Sequence, residues 1–155
     1  MMLPKTHIIL GFIFSSTVYF IFPDIGLFGF FTIFLSSVFI DVDHYMFYVW
    51  AKKDWSLKNA FNWFMQETIK YQKLPKEKKK QKFPMPCIFH GIEALLFLGI
   101  LYYFTKLPFI GFIIIGITFH ELLDFISIWH YGYNFNHIGS QINNIINYKK
   151  GNITK

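Results

Sequence analysis

Four apolar stretches, Ile8 to Phe22, Ile25 to Ile40, Ile88 to Phe104 and Leu107 to Trp129, carry nearly all their His, Asp and Glu toward one end. His7 opens the first, Asp41, Asp43 and His44 sit at the end of the second, His90 and Glu93 open the third, and His120, Glu121 and Asp124 fall in the last half of the fourth. If the stretches run antiparallel, the starts of the odd ones and the ends of the even ones share a side. Nine ionisable groups from distant parts of the chain then meet in one place. Such groups are costly at membrane depth and persist where they pair, line a cavity or bind an ion.

The stretches are about 15 to 23 residues long, near the ~20 that cross a hydrocarbon core, in a chain of 155 residues that is 54% hydrophobic and 22% aromatic. The pattern predicts an all-α membrane protein, because only helices or a closed barrel satisfy every backbone group in lipid. Four transmembrane helices are expected at about 6–22, 25–50, 87–105 and 108–129. They form one integral membrane domain over 1–155, with a cytoplasmic amphipathic-helix insertion at 52–86 between helices 2 and 3 and a C-terminal surface segment at 130–155. No small-x-small cleavage pattern precedes Pro23, so the first stretch reads as a retained helix rather than a signal peptide. Cys87 is the lone cysteine and excludes an internal disulfide.

Orientation follows from lysine. Lys5, the ten lysines between Lys52 and Lys82, and Lys149, Lys150 and Lys155 fall on one side of a four-helix layout, with only Lys106 opposite. The positive-inside rule then makes both termini and the long insertion cytoplasmic, in the cell inner membrane, and the ionisable cluster with them. Topology accounts for the net charge of +6, and no nucleic-acid partner is expected.

Within the insertion, Ser56 is placed to cap a helix with Leu57, Ala60, Phe61, Phe64 and Tyr71 on one side, suited to the bilayer interface with Trp55 and Trp63 near headgroups. The run Lys76 to Lys82 reads as solvated and attractive to anionic lipid headgroups. Pro84 and Pro86 end the insertion. Ser140 precedes Ile142, Ile145 and Ile146 in a second short amphipathic helix along the inner surface. His130 and His137 read as surface residues, and Trp129, Tyr131 and Tyr133 as interfacial aromatics.

Helical spacing puts His120 with Asp124, His90 with Glu93, and Asp41 with His44 on shared faces. Imidazoles mixed with carboxylates and lacking thiolates suit a divalent ion, zinc first, with manganese, iron or magnesium as alternatives. The candidate ligands are His7, Asp41, Asp43, His44, His90, His120 and Asp124. Seven exceed one tetrahedral site, so either two ions bind or some carboxylates orient the imidazoles that do. Glu93 is the first candidate for a catalytic base and Glu121 the second. Cys87 reads as a small apolar residue at a helix entry. His120-Glu-Leu-Leu-Asp124 is similar to the metalloprotease pattern of two His four apart around a Glu, with Asp in place of the second His.

The ordered blocks Thr6-His7 with Gly11, Asp41-Val-Asp43-His44, Phe89-His90-Gly-Ile-Glu93, and His120 with Asp124 resemble the predicted membrane-bound metal-dependent hydrolases. These are small inner-membrane proteins of bacteria and archaea whose bacterial members are linked by name to the LexA repressor. The resemblance spans roughly residues 6 to 124 and implies an integral membrane protein with a metal-centred hydrolytic site. Many members carry His-Arg-Gly in the third block, where this chain has His90-Gly-Ile-Glu93. The expectation is a membrane hydrolase acting on a lipid-linked or membrane-proximal bond, a phosphoester preferred. A divalent metal transporter or sensor, an intramembrane metalloprotease built on the His120 string, and an anchoring protein using the basic run are the alternatives.

Overall fold

The computed structural model describes residues 4–81, 87–131 and 139–149. These residues form helices and no strand: α1 (Pro4–Ile21), α2 (Gly26–Phe39), α3 (Val42–Lys52), α4 (Leu57–Gln72), α5 (Lys76–Gln81), α6 (Ile92–Thr105), α7 (Pro108–Tyr131) and α8 (Gln141–Lys149). A single 3-10 turn, Pro23–Ile25, joins α1 to α2. Among the described residues only two segments are long and apolar enough to cross a membrane, Pro23–Lys52 and Pro108–Tyr131, fewer than the four expected. The physical reasons are local. The first turn of α1 contains Lys5 and His7, and the chain between Cys87 and Gly91 turns instead of winding, so α6 starts only at Ile92 and has 14 residues.

Helix α2 packs between α1 and α7, while α6 leans mainly on α7 and buries no residue. What lets the central three approach is a row of small residues at four-residue spacing. His7, Gly11 and Ser15 are the buried residues of α1, and Gly29, Ile33 and Ser37 those of α2, while Gly116, His120 and Asp124 are buried on α7. Positions four apart lie on one helix face, so each row is a continuous stripe. A Cβ at Gly116 would collide with the Ile33 carbonyl and the Ser36 hydroxyl, and one at Gly11 would meet the Ser37 hydroxyl. Small residues at such seams let backbones close up. The serines of the α1 and α2 rows spend their hydrogens on their own helices, Ser15 Oγ on Gly11 O and Ser37 Oγ on Phe34 O, both at 2.8 Å.

Away from the seams the helices show apolar surface. Phe20 is 81% exposed and Phe104 77%, while His7, His90, His120 and Asp124 are at most 3% exposed. The usual distribution of apolar inside and polar outside is inverted.

The insertion folds back as a hairpin. Ser56 caps α4 as expected, accepting from Asn59 N at 3.2 Å. Part of the apolar side of α4 faces α3, Trp63 packing on Tyr48 with ring centroids 5.6 Å apart and Phe64 stacking on His44, while Leu57 and Phe61 stay exposed. The basic run is helical over α5, and Lys79 departs from the solvated reading. It is buried, with Nζ 3.5 Å from the carbonyl of Tyr131, where it meets the negative end of α7. Lys78 is exposed, whereas Lys82, Pro84, Pro86, Tyr133, His137, Lys150, Lys155 and the side chains of Lys76, Lys80 and Lys149 lie outside the described residues. In α8 the polar side is the buried one: Gln141 and Asn144 face inward while Ile142 and Ile146 point out. Trp129 and His130 are exposed at the end of α7.

Candidate metal centre

The end of each small-residue stripe is an ionisable side chain, and the stripes deliver those side chains to one place. At the junction of α2 and α3 the backbone tightens to 3-10 bonding, Asp43 N to Ile40 O and His44 N to Asp41 O. Residues three apart eclipse in that geometry, so Asp41 and His44 stand over one another while Asp43 swings toward the turn before α6. That turn is set by Gly91, whose φ of +141° belongs to glycine and where a Cβ would also strike Gly139 O and Gln141. His90 is thereby held inside the bundle, fully buried.

Three ligand atoms converge, those of Asp41, His90 and His120, and Asp124 stands beside the two imidazoles. His90 Nε2 lies 3.1 Å from His120 Nε2. Asp41 Oδ1 is 3.4 Å from the first and 3.6 Å from the second, and Asp124 Oδ2 is 4.0 and 3.9 Å from them. Bond lengths of about 2.0–2.2 Å to zinc imply tetrahedral edges of about 3.3–3.6 Å, and the three separations among His90, His120 and Asp41 lie close to that range while those to Asp124 are longer. The donor chemistry fits as well. His120 Nδ1 donates to the Ser37 carbonyl at 2.8 Å and His90 Nδ1 to Asp43 Oδ2 at 3.0 Å, so in the neutral rings both Nε2 atoms present lone pairs to each other. Two lone pairs at 3.1 Å repel unless a proton or a cation lies between them. With the Asp41 carboxylate turned to the same point, a cation satisfies all three donors where one proton satisfies two.

The remaining sequence-predicted residues surround these four, each inner donor having one outer neighbour. Asp43 holds His90, and the Ser37 carbonyl holds His120. His7 Nε2 lies 3.5 Å from Asp124 Oδ1 and its ring stacks on His120 at 4.1 Å, while His44 Nε2 lies 3.7 Å from Asp41 Oδ1. Carboxylates and carbonyls behind metal-binding histidines fix tautomer and ring orientation in this way.

Two sequence expectations are corrected. His90 and Glu93 do not share a helix face, because His90 sits in the turn and Glu93 in the first turn of α6. Glu93 faces α8 instead, accepting from the Ser140 hydroxyl and from Gln141 N at 3.1 Å, which removes it from the four-donor centre. Glu121 is better placed: its Oε1 accepts from Gly91 N at 3.2 Å, next to His90, and its Oε2 is buried with no hydrogen-bond partner among the described residues. Cys87, taken as a small apolar residue, is buried with Sγ 2.9 Å from His44 Nδ1, which is also 3.0 Å from Asp43 Oδ1. Asp43, His44, Cys87 and His90 thus form a second group of possible ligands. The sequence signal was available, since Pro84, Pro86 and Gly91 bracket Cys87 with turn formers and place it off the helix. Gln141 was also missed; its Oε1 accepts from Cys87 N at 3.1 Å and ties α8 to the turn. Comparison with protein-family models, with curated proteins and with solved structures finds no match to this chain.

Proposed function

We propose that this chain is a membrane-embedded metal-dependent hydrolase, of the kind its sequence blocks resemble, holding one divalent ion between His90, His120, Asp41 and Asp124. The observation that carries the reading is the 3.1 Å approach of the two imidazole Nε2 atoms with both carboxylates around them. Nitrogen and carboxylate donors favour zinc, with manganese, iron or magnesium as alternatives. The one-to-one pairing of inner donors with outer neighbours supports a single ion over two. Such an ion supplies Lewis acidity toward an ester or phosphoester and a nucleophile from water at neutral pH. The chain's own part is to orient and to take up the proton. Ser37 O and Asp43 keep the two rings from turning, and Glu121 Oε2, buried and without a hydrogen-bond partner among the described residues, is the residue we assign as base.

The inverted surface supports a bilayer around α1, α2, α6 and α7, with the centre in the cytoplasmic half and the lysine-rich side inward. At ~1.5 Å per residue α1 is about 27 Å long and α6 about 21 Å, so in a four-span arrangement α6 needs local thinning of the bilayer or its preceding turn within the headgroup region. Transport gains no support, because the buried polar groups above the centre are serines bonded to their own helices. Metal analysis of the detergent-purified protein tests the proposal. One ion per chain is expected for the wild type and none for His90→Ala or Asp124→Ala, followed by metal-dependent turnover in a panel of phosphoesters, esters and amides. A wild-type protein without stoichiometric metal under replete conditions overturns it.

A further inference from the structure

A cavity of about 360 Å³ lies between the start of α1, α3 and α4, and the centre's own residues form its inner end. Asp41 and His44 line it with Tyr45 and Thr68, and the other lining residues, among them Leu57, Ala60, Phe61 and Met65, are apolar. We infer that this cavity holds a single hydrocarbon chain of a lipid substrate, with the bond to be cleaved at Asp41. The inference rests on the proposed hydrolase and adds what it acts on: a lipid ester or phosphoester taken one chain at a time.

Three observations select a hydrocarbon chain over other occupants. The volume is near the lower end of the ~300–1,000 Å³ of ligand pockets, enough for a slender group. Beyond Asp41 and His44 the lining is mostly apolar, its polar groups being Tyr45, whose hydroxyl donates to Trp55 O, and Thr68, so a peptide would leave most of its backbone groups unpaired there whereas a hydrocarbon needs no partner. The mouth is continuous with the apolar exterior, Leu57 being 69% and Phe61 53% exposed, so the occupant comes from the same phase that covers that exterior. The walls are preformed. Tyr45 donates to Trp55 O at 2.8 Å, Tyr48 to Asp54 Oδ2 at 2.7 Å, and the Phe64 ring stacks on His44, which together fix α4 against α3.

The test uses full-length protein in nanodiscs of phosphatidylcholine and phosphatidylglycerol containing a trace of lysophosphatidate with a diazirine in mid-chain. Photolabelled peptides are quantified by mass spectrometry, with metal removed, so that failure of metal binding or of hydrolysis leaves the result untouched. Label is expected on the peptide 57–72 at least fivefold above the lipid-exposed peptide 92–105, falling at least fivefold in Met65→Trp and in Ala60→Trp while the label on 92–105 stays constant. Ala60 is buried, so Met65→Trp is the decisive variant if Ala60→Trp fails to fold. Equal labelling of the two peptides in the wild type, or a Met65→Trp protein labelled like the wild type, means annular lipid only and overturns the inference.

Discussion

Gly116→Ala should weaken metal binding from a position that touches no ligand. The added Cβ would run into the Ile33 carbonyl and the Ser36 hydroxyl and stand 3.1 Å from Ser37 N. The hydroxyl can rotate away, but the carbonyl belongs to the α2 backbone. Restoring an ordinary carbon–oxygen separation of about 3.3–3.6 Å requires α2 and α7 to part by roughly 1 Å. The Ser37 carbonyl travels with α2, and its 2.8 Å bond to His120 Nδ1 opens beyond hydrogen-bonding range. Overpacking of this kind costs about 1–3 kcal/mol of stability. Loss of an orienting partner behind a metal-binding His costs about 10–100-fold in affinity, about 1.4–2.8 kcal/mol. Zinc titration against a chromophoric chelator reads the affinity, and thermal unfolding in detergent reads the stability. Gly99→Ala is the control, since a Cβ there meets nothing within 4 Å and the change should leave affinity alone while slightly stabilising α6. Wild-type zinc affinity in Gly116→Ala, or an equal loss in Gly99→Ala, refutes the reasoning.

Asp41→Asn should remove stoichiometric metal, whereas Asp43→Asn should retain it with affinity lowered about 10–100-fold; equal losses in the same chelator titration would abolish the division into inner and outer residues. Glu93→Ala should leave metal affinity unchanged and release α8, at a cost on the order of 1 kcal/mol, read as faster hydrogen exchange over residues 141–146. Asp54 accepts first from Tyr48, then from Asn59 and Ser56 N, which holds its carboxyl below the usual carboxylate value. A folded pKa below the unfolded one gives stability that is complete above about pH 4 and is lost as pH falls through the folded value. The fluorescence of Trp55 and Trp63 should report this loosening between α3 and α4 on acidification, and Asp54→Asn should be loosened already at neutral pH with a flatter profile.

The side of the bundle on which the ionisable residues meet was readable because it needs only the order of apolar stretches and the sign of each alternation. The cap at Ser56 was readable because it is a local rule. What escaped was set by tertiary detail. Glu93 is three residues from His90, and spacing alone predicts a shared face, but Gly91 takes a φ of +141° between them and sends the two side chains apart. The third helix therefore starts later than its apolar stretch, which cannot be known from hydrophobicity, since Ile88 and Phe89 are as apolar as the helix that begins at Ile92. Seven candidate ligands could be named, with Asp43 the weakest because it stands beside Asp41 at a helix end. Whether Asp41 or Asp43 faces the two imidazole Nε2 atoms depends on where the 3-10 turn falls at the α2–α3 junction, and no proline or glycine marks it.

One pattern was present in the sequence and joins packing to chemistry. Gly29, Ile33, Ser37 and Asp41 succeed one another at intervals of four, as do His7, Gly11 and Ser15, and Gly116, His120 and Asp124. Each row runs from small residues to a His or Asp without leaving its helix face. The coincidence has a mechanical reason. A coordination sphere with arms of about 2 Å tolerates little error, and Asp41 at the end of α2 faces His120 and Asp124 of α7 across a spacing fixed by what lies in the seam beside them. Larger residues would hold the axes further apart, within the 8–10 Å that side chains ordinarily set, and spread the donors with them. Small residues one turn from the donors remove that freedom at its source, so the stripes that let α2 and α7 pack also bring Asp41, His120 and Asp124 to the end of the seam where the Gly91 turn delivers His90.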